Sequence, residues 1–400
     1  MVEEQISGLR WTYVLVGVAD GTLLPFIPLY LLERGMGATG IGVVLAATSI
    51  ASLGAGLGWA YLADRRLKPE RLVVMATVVA ALLAALIVMP GTATLIGVVI
   101  VILSIARSPL SLLDPITLRK LRMTTRTDYA RIRLRMSAGW AGSVVASGAA
   151  YQTFGMRLIP FIYAPLSLLV GAWMWRAVKP DATVQTVEAS AGLNPMAHVH
   201  KVPIGLLGFL LACLLLGISL AATQNFLTLQ ISGLGGGALL VGAAAAFQAV
   251  TEIPTMGYTH VLTRHLSHRV LFAIGCAIYL VIFVAWAFTT SAFIAALLKL
   301  AVGVAFALTL VAAVVITNDL TPARLRATGQ ALMKAVFFGV APVIGAVGGG
   351  VVYGSLGPRF MFLASTLVVA AAGLFALAAV PMRKRVVAEE QVLATTPATP

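Results

Sequence analysis

Twelve long apolar stretches constrain this chain more than any other feature, because each can cross a lipid bilayer as a helix. One helical crossing takes about 20 mostly apolar residues. The stretches lie near 10–32, 39–62, 71–89, 93–113, 136–154, 158–178, 203–229, 238–260, 269–288, 292–316, 329–353 and 360–380. Hydrophobic residues make up 60% of the 400, more than a soluble globular chain needs. Because period-2 alternation is absent, the sequence predicts an all-α membrane protein of twelve transmembrane helices, with the first stretch retained as a helix.

The longest polar interruption divides the stretches six and six, which predicts two pseudo-symmetric six-helix bundles joined by a cytoplasmic linker. A short echo supports a duplicated unit. Ala130-Arg131-Ile132-Arg133 enters the fifth stretch, and Ala323-Arg324-Leu325-Arg326 enters the eleventh about half a chain later. The predicted boundaries are 1–178 for the first bundle, 179–201 for the linker, 202–381 for the second bundle and 382–400 for a disordered tail.

The positive charges predict how the chain is oriented in its membrane. The net charge is +14. Most Lys and Arg residues fall in the loops on the side of the two termini, whereas Arg34, Arg157 and Arg359 lie on the opposite side. Positive loops stay cytoplasmic, so we expect a multi-pass protein of the cell inner (plasma) membrane with both termini cytoplasmic. Attraction of these loops to anionic lipid explains the excess charge without a nucleic-acid partner.

Asp20, Arg107, Glu252 and Lys299 each lie inside an apolar stretch. An ionised group at the bilayer centre costs from about 3 to more than 10 kcal/mol. Membrane proteins therefore keep such groups facing a bundle interior or a wet cavity, where they often belong to a transport path. Helical rise places Asp20 near the middle of its span. The alternative for all four is a purely structural role, in which they pair only to hold helices together.

The loop after the second stretch suggests a family. It reads Ala60-Tyr61-Leu62-Ala63-Asp64-Arg65-Arg66-Leu67-Lys68 and resembles the signature loop of the major facilitator superfamily, with Ala60 in place of the family's leading glycine. The resemblance implies two bundles that rock about a central site lined by spans 1, 4, 7 and 10. It also implies that Asp64, Arg65 and Arg66 form a cytoplasmic gate, because the carboxylate can pair with a base or a helix N-terminus of the other half. An ordinary charged loop is the alternative.

Residues 129–140 are similar to the corresponding part of the lactose permease and proton-symporter group. Pro25-Phe26-Ile27-Pro28 and the segment from Arg326 to Ala331 resemble that group too. The resemblance implies that Asp114 and Arg133 hydrogen-bond a substrate and that Trp140 stacks on it. Alternatively, Arg133 is only a cytoplasmic topology charge with Asp114 as its partner, and Trp140 is an interfacial residue.

Proton coupling must use other groups than in that symporter group, because its titratable residues after the span 10 lysine are missing here. After Lys299 the chain reads Leu300-Ala301-Val302-Gly303-Val304-Ala305. We therefore predict that Asp20, Arg107 and Glu252 couple protons. An acid in span 1 with an arginine in span 4 also resembles drug/proton antiporters. Lys299 and the uncharged Gln224, Asn225 and Gln248 are predicted substrate contacts, although polar residues in spans often bond only to adjacent helices.

Together these features predict a proton-coupled secondary active transporter that works by alternating access. The first hypothesis is symport of a small polar solute such as a sugar, nucleoside or aromatic acid. The second is a drug or metabolite/proton antiporter, and the third is a non-transporting receptor or scaffold. We expect no enzymatic activity, no cofactor and no metal. The expected partners are a small-molecule substrate, protons and the lipid bilayer, with the protein a monomer.

Overall fold

The fold consists of helices throughout the part of the chain that the structure describes. This structure is a computed structural model, and it describes residues 2–65, 67–88, 91–121, 129–179, 204–264, 266–322 and 325–380. The helices are α1 (Glu4–Glu33), α2 (Ala38–Ala63), α3 (Pro69–Leu86), α4 (Ala93–Leu121), α5 (Tyr129–Phe154), α6 (Met156–Ala177), α7 (Ile204–Gly233), α8 (Ala238–Thr259), α9 (His268–Phe288), α10 (Ala292–Leu320), α11 (Thr328–Leu356) and α12 (Pro358–Ala379). Eleven are apolar and long enough to cross a membrane, and α5 is the twelfth, with a strongly basic first turn. The predicted twelve-helix architecture is confirmed.

Several helices continue beyond the apolar limits from which they were predicted. α4 extends to Leu121 and α5 begins at Tyr129, although the apolar stretches suggested 93–113 and 136–154. Charged residues such as Arg119 and Arg131 are good helix formers, so the helix persists where the hydrophobic signal stops. The extra turns matter because Asp114 and Arg133 lie in them.

The two halves repeat the same internal packing, as a duplicated six-helix unit predicts. α1 packs closely on α5: a methyl group on Gly17 would lie 2.1 Å from the Met136 carbonyl oxygen. Six helices later, α7 packs on α11 in the same way, since a methyl group on Gly345 would lie 2.4 Å from the Ile218 carbonyl oxygen. Small residues permit this approach of two backbones.

The halves contact each other at the end of the bundle away from the chain termini, here called the far end. α2 meets α11 there, and the Thr39 hydroxyl donates to the Gly350 carbonyl oxygen at 3.3 Å. α5 meets α8 symmetrically, where the Leu239 backbone N–H donates to Gln152 Oε1 at 3.0 Å. The Gln152 amide therefore satisfies one of the open N–H groups of the first turn of α8 across the interface.

Toward the end that carries the termini, here called the near end, the described parts of the two halves separate. A methyl group on Gly54 of α2 or on Gly257 of α8 would meet nothing within 4 Å. Leu57 is 71% exposed on the same length of α2. The described helices thus form a bundle that is closed at the far end and has cavities extending toward the near end.

Some predicted features lie outside the described residues. They include nearly all of the 179–201 linker, the 382–400 tail, Arg66 and part of the Ala323–Arg326 echo. Asp64 and Arg65 close the helix that follows Ala38, but their side chains are not described. The predicted gate therefore stays a prediction.

Candidate functional site

A cavity of about 700 Å³ lies in the first half, between α1, α2, α4 and α5, with Phe338 of α11 at its edge. Two acid–base pairs border it, Asp20 with Arg107 and Asp114 with Arg133. Six hydroxyl-bearing side chains from α2 and α4 line it as well: Thr48, Ser49, Ser52, Ser104, Ser108 and Ser111. The cavity is therefore a polar space inside an otherwise apolar bundle.

Asp20 and Arg107 form an ion pair between α1 and α4, although 87 positions separate them in the chain. Both side chains are only 12% exposed. The Arg107 guanidinium also lies over the Tyr163 ring, 5.7 Å from its centroid. Because a buried charge is costly without a partner, each of the two ions stabilises the other in this position. Asp20 and Arg107 are thus brought together at the wall of the cavity.

The backbone of α4 changes its winding just after Arg107. Residues Ser108–Leu112 form a 3-10 segment with Pro109 near its start. Proline has no backbone N–H and cannot continue the regular α-helical bonding. The regular helix resumes at Leu113–Leu121, so the segment separates the deep arginine from Asp114 and changes the direction in which each points into the cavity.

Asp114 and Arg133 form the second pair, between α4 and α5, and two tyrosines complete it. The Tyr13 hydroxyl donates to Asp114 Oδ1 at 2.8 Å, and Arg133 donates to the Tyr129 hydroxyl at 3.1 Å. The Thr117 hydroxyl donates to the Tyr13 oxygen at 3.2 Å. The Arg133 side chain is 55% exposed. This pair is therefore accessible and has spare donors and acceptors for a solute.

Arg133→Lys is expected to weaken solute binding about tenfold, which corresponds to about 1.4 kcal/mol. Arg133 uses one terminal nitrogen, Nη1, for both Asp114 and Tyr129, which leaves Nη2 to donate to a solute. Lysine keeps the charge but lacks this second nitrogen in a fixed plane. The measurement is the dissociation constant of the transported solute for the purified protein. Arg131→Lys on the same helix is the matched control, because Arg131 does not line the cavity. Unchanged affinity in Arg133→Lys would make Arg133 a topology charge only.

A second cavity of about 370 Å³ lies between the two halves, where α1 and α5 face α7, α8 and α10. Leu24 borders both cavities. Trp140, Pro25 and Pro28 form apolar walls of the smaller one, opposite a polar group from the second half. That polar group is Gln224, Asn225, Gln248, Glu252 and Lys299.

Lys299 is the centre of the polar group. Its side chain is almost fully buried, with a residue exposure of 6%. Lys299 Nζ donates to Gln248 Oε1 at 2.7 Å and also to Gln224 Oε1. The Gln224 side-chain amide donates to Gln248 Oε1 at 3.2 Å. An ammonium group has only donors, so the two amide oxygens must turn toward it, and the amide nitrogen of Gln248 is left to face the Glu252 carboxylate.

Close packing of α8 against α10 holds this group in place. A methyl group on Gly303 would lie 2.2 Å from the Gln248 carbonyl oxygen. The Thr251 hydroxyl donates to the Leu300 carbonyl oxygen at 2.6 Å, which ties the same two helices together. Glu252 follows Gln248 by one helical turn and precedes Pro254, which lies inside the helix. The glutamine, the glutamate and the lysine therefore share one side of the cavity.

The structure places Trp140 apart from Asp114 and Arg133, although the sequence resemblance implied that all three contact one substrate. Trp140 borders the smaller cavity, whereas Asp114 and Arg133 border the larger one. All three lie in the first half, but successive turns of α5 carry Arg133 and Trp140 to different cavities. The lining also extends beyond the expected spans 1, 4, 7 and 10, because α2, α5 and α8 contribute as well.

Sequence reasoning missed the hydroxyl groups of the larger cavity and the tyrosines around its ion pairs. A signal was present on α4, where Ser104, Ser108 and Ser111 recur at the spacing of one helix face. Tyr13 and Tyr163 gave no such signal, since a lone tyrosine in an apolar span does not indicate which charge it contacts.

Known proteins that resemble this chain are membrane transporters. The chain matches the model of the MFS_1 like family over residues 7–364. It is 26% identical over 385 residues to a maltose permease of Geobacillus stearothermophilus, which covers 95% of both chains. A crystal structure of the nucleoside transporter NupG superposes with a TM-score of 0.81 at 18% identity, covering 95% of this chain and 100% of that one. A bacterial homolog to the human lysosomal transporter Spinster, in an inward-facing and unoccupied conformation, gives a TM-score of 0.64 at 14% identity, covering 94% and 96%.

Proposed function

Because the chain belongs to the MFS_1 like family of major facilitator transporters, we propose that it is a proton-coupled symporter of a small polar solute. The observation that carries this proposal is the buried Asp20–Arg107 pair at the wall of a cavity inside the membrane. An ion pair at this depth costs desolvation free energy, and charged residues kept inside membrane spans usually have a function. The maltose permease and the nucleoside transporter among its relatives support a sugar or nucleoside as solute class, and an aromatic acid remains the third class.

Asp20 is the proposed proton site and Arg107 its partner. When Asp20 takes up a proton, the carboxyl group becomes neutral and Arg107 loses its counter-charge. The Tyr163 ring beneath the guanidinium then offers a cation–π contact, so the arginine stays in place through the protonated state. Glu252, at the second cavity, is the proposed alternative proton carrier.

The solute is proposed to bind on both sides of Leu24, which borders the two cavities. One side offers Asp114 and Arg133, and the other offers Gln224, Asn225, Gln248 and Lys299. Trp140 supplies a flat apolar surface suited to a sugar or aromatic ring. A solute that reaches both sides contacts both halves, so binding is coupled to their relative motion.

Alternating access is the proposed cycle, with the described arrangement as its inward-facing state. The basic loops near the termini favour a cytoplasmic near end in the inner membrane. The far end, closed by α2 on α11 and α5 on α8, is then the external gate. Asp64, Arg65 and Arg66 are the proposed internal gate, which would close when the near ends approach each other.

Uptake into proteoliposomes with an imposed pH gradient tests this function. The probes are radiolabelled maltose, uridine and 4-hydroxybenzoate, one for each solute class. Accumulation driven by an inward proton gradient, and lost when a protonophore collapses it, supports symport. Equal uptake with and without the gradient for every probe contradicts the proposal.

Antiport is the second candidate, and the pairing of an acid on α1 with an arginine on α4 is the observation in its favour. The same vesicles distinguish the two directions. Extrusion of a preloaded probe by an inward proton gradient would indicate an antiporter. Absence of gradient-dependent flux with correctly folded protein would favour a receptor or scaffold.

A further inference from the structure

Lys299 is a buried cation whose hydrogen-bond partners are neutral. Its ammonium group donates to the amide oxygens of Gln224 and Gln248. Among the described residues, no carboxylate oxygen lies within 4 Å of Lys299 Nζ, in contrast to Arg107 and Arg133, each of which has an aspartate. The buried lysine of the second half therefore differs from the two arginines of the first half, which contact carboxylates.

An ammonium group in this position has lost most of its hydration without gaining a contacting counter-ion. Amide dipoles replace part of its lost hydration, but they do not neutralise its charge, and an uncompensated buried ion is strongly unfavourable. The charge is nevertheless held firmly, because Gly303 brings α10 against the backbone of Gln248. Glu252 lines the same cavity but does not contact the ammonium group. The space beside Lys299 therefore offers a favourable position for a negative charge in direct contact with it.

We propose that this position binds the carboxylate of the transported solute, which narrows the solute to a small hydroxylated or aromatic monocarboxylate. The inference rests on the proposed function of the cavity as the solute site. Lys299 Nζ would donate to one carboxylate oxygen. The Gln248 amide nitrogen, which faces Glu252 in this structure, would turn to donate to the other. Charge-assisted bonds of this kind are short and strong. The carbon skeleton would lie against Trp140, Pro25 and Pro28.

The charge of Glu252 would depend on whether the carboxylate is bound. Glu252 and Lys299 are the only charged side chains among the described residues that line the cavity. A solute carboxylate beside an ionised Glu252 would place two negative charges near one ammonium group. Binding of the anion therefore favours the protonated form of Glu252, which leaves one negative charge beside the ammonium group and needs no covalent step.

The experiment compares acids with amides of the same skeleton, using the full-length protein in lipid nanodiscs. The probes are 4-hydroxybenzoate against 4-hydroxybenzamide, and D-glucuronate against D-glucuronamide. Thermal unfolding midpoints are recorded over a concentration series at one pH, because a bound ligand raises the midpoint by mass action. We expect at least one acid to stabilise the protein, with an affinity at least tenfold higher than that of its amide.

Variants locate the effect at Lys299. Lys299→Met should remove the stabilisation by the acid, and Lys299→Arg should retain it. Lys334→Met on α11 is the matched control, because Lys334 does not line the cavity. If Lys299→Met does not fold, the acid–amide comparison in the wild type decides by itself.

Three results would overturn the carboxylate site: equal binding of acid and amide in both pairs, stabilisation that survives in Lys299→Met, or no stabilisation by either acid. Transport separates this failure from failure of the proposed function. Proton-driven uptake of maltose or uridine that is undiminished in Lys299→Met would reject the carboxylate site and leave symport standing. Absence of proton-driven uptake of every probe would reject symport itself.

Discussion

Asp20→Asn is expected to abolish proton-driven accumulation while the solute still exchanges across the membrane. Asparagine matches aspartate in shape, but it cannot take up and release a proton at the site beside Arg107. The internal solute concentration should then no longer exceed the external one under an inward proton gradient. Counterflow, which exchanges labelled for unlabelled solute without net proton movement, should continue. Both are measured in the same proteoliposomes.

Loss of the aspartate charge also affects stability, and the experiment needs a control for it. Removal of one member of a buried ion pair typically costs about 3–5 kcal/mol, because the other charge is left uncompensated. The double variant Asp20→Asn/Arg107→Gln removes both charges and should recover part of that stability without recovering accumulation. Wild-type accumulation in folded Asp20→Asn would remove Asp20 from the coupling mechanism and leave Glu252 as the remaining candidate.

Gly42→Val and Gly242→Val are expected to stop the cycle by preventing closure of the far end. A methyl group on Gly42 would lie 2.3 Å from the Ala346 carbonyl oxygen, and one on Gly242 would lie 2.3 Å from the Val144 carbonyl oxygen. Both glycines lie where one half meets the backbone of the other, so the added volume should push the halves apart there. Overpacking typically costs about 1–3 kcal/mol, and each 1.4 kcal/mol is about a tenfold change in an equilibrium.

The expected result is therefore a shift of roughly tenfold to a hundredfold toward the state that is open at the far end, with a similar loss of transport rate. Accessibility of a cysteine introduced at Gln152 to a membrane-impermeant thiol reagent measures the opening. Gly54→Val on α2 is the matched control, because a methyl group there meets nothing within 4 Å. If the cysteine at position 152 were no more accessible in the two glycine variants than in the control, this interface would not be the external gate.

Much of the architecture was predictable from local sequence. Hydropathy is a property of about 20 consecutive residues, so the twelve helices were predicted without knowledge of their neighbours. Some boundaries were less accurate, because polar helix ends such as those of α4 and α5 continue the helix outside the apolar core. The sequence also indicates which buried charges matter, because ionised residues are rare and costly within transmembrane spans. These are Asp20, Arg107, Glu252 and Lys299.

Most of the contacts of those charges could not be predicted from the sequence alone. The loose resemblance to antiporters indicated Asp20 with Arg107, but it gave no reason for the Tyr163 ring beneath the guanidinium. Resemblance also grouped Trp140 with Asp114 and Arg133, whereas the structure assigns Trp140 to the cavity between the halves. Arg133 and Trp140 are seven residues apart, so they share a face of α5 but lie about 10 Å apart along it, which places them at different cavities.

The sequence by itself determined that this chain crosses the membrane in two six-helix halves and that a few of its buried residues carry charge. Tertiary structure alone decided which other groups meet these charges: the Tyr163 ring at Arg107, the Tyr13 hydroxyl at Asp114 and two amides at Lys299. The physical reason is that a span enters the membrane on its own hydrophobicity, but a charge acquires its partner only when helices pack. Close contacts at residues such as Gly17 and Gly303 fix the rotation and depth of those helices, and with them the groups that meet in the two cavities.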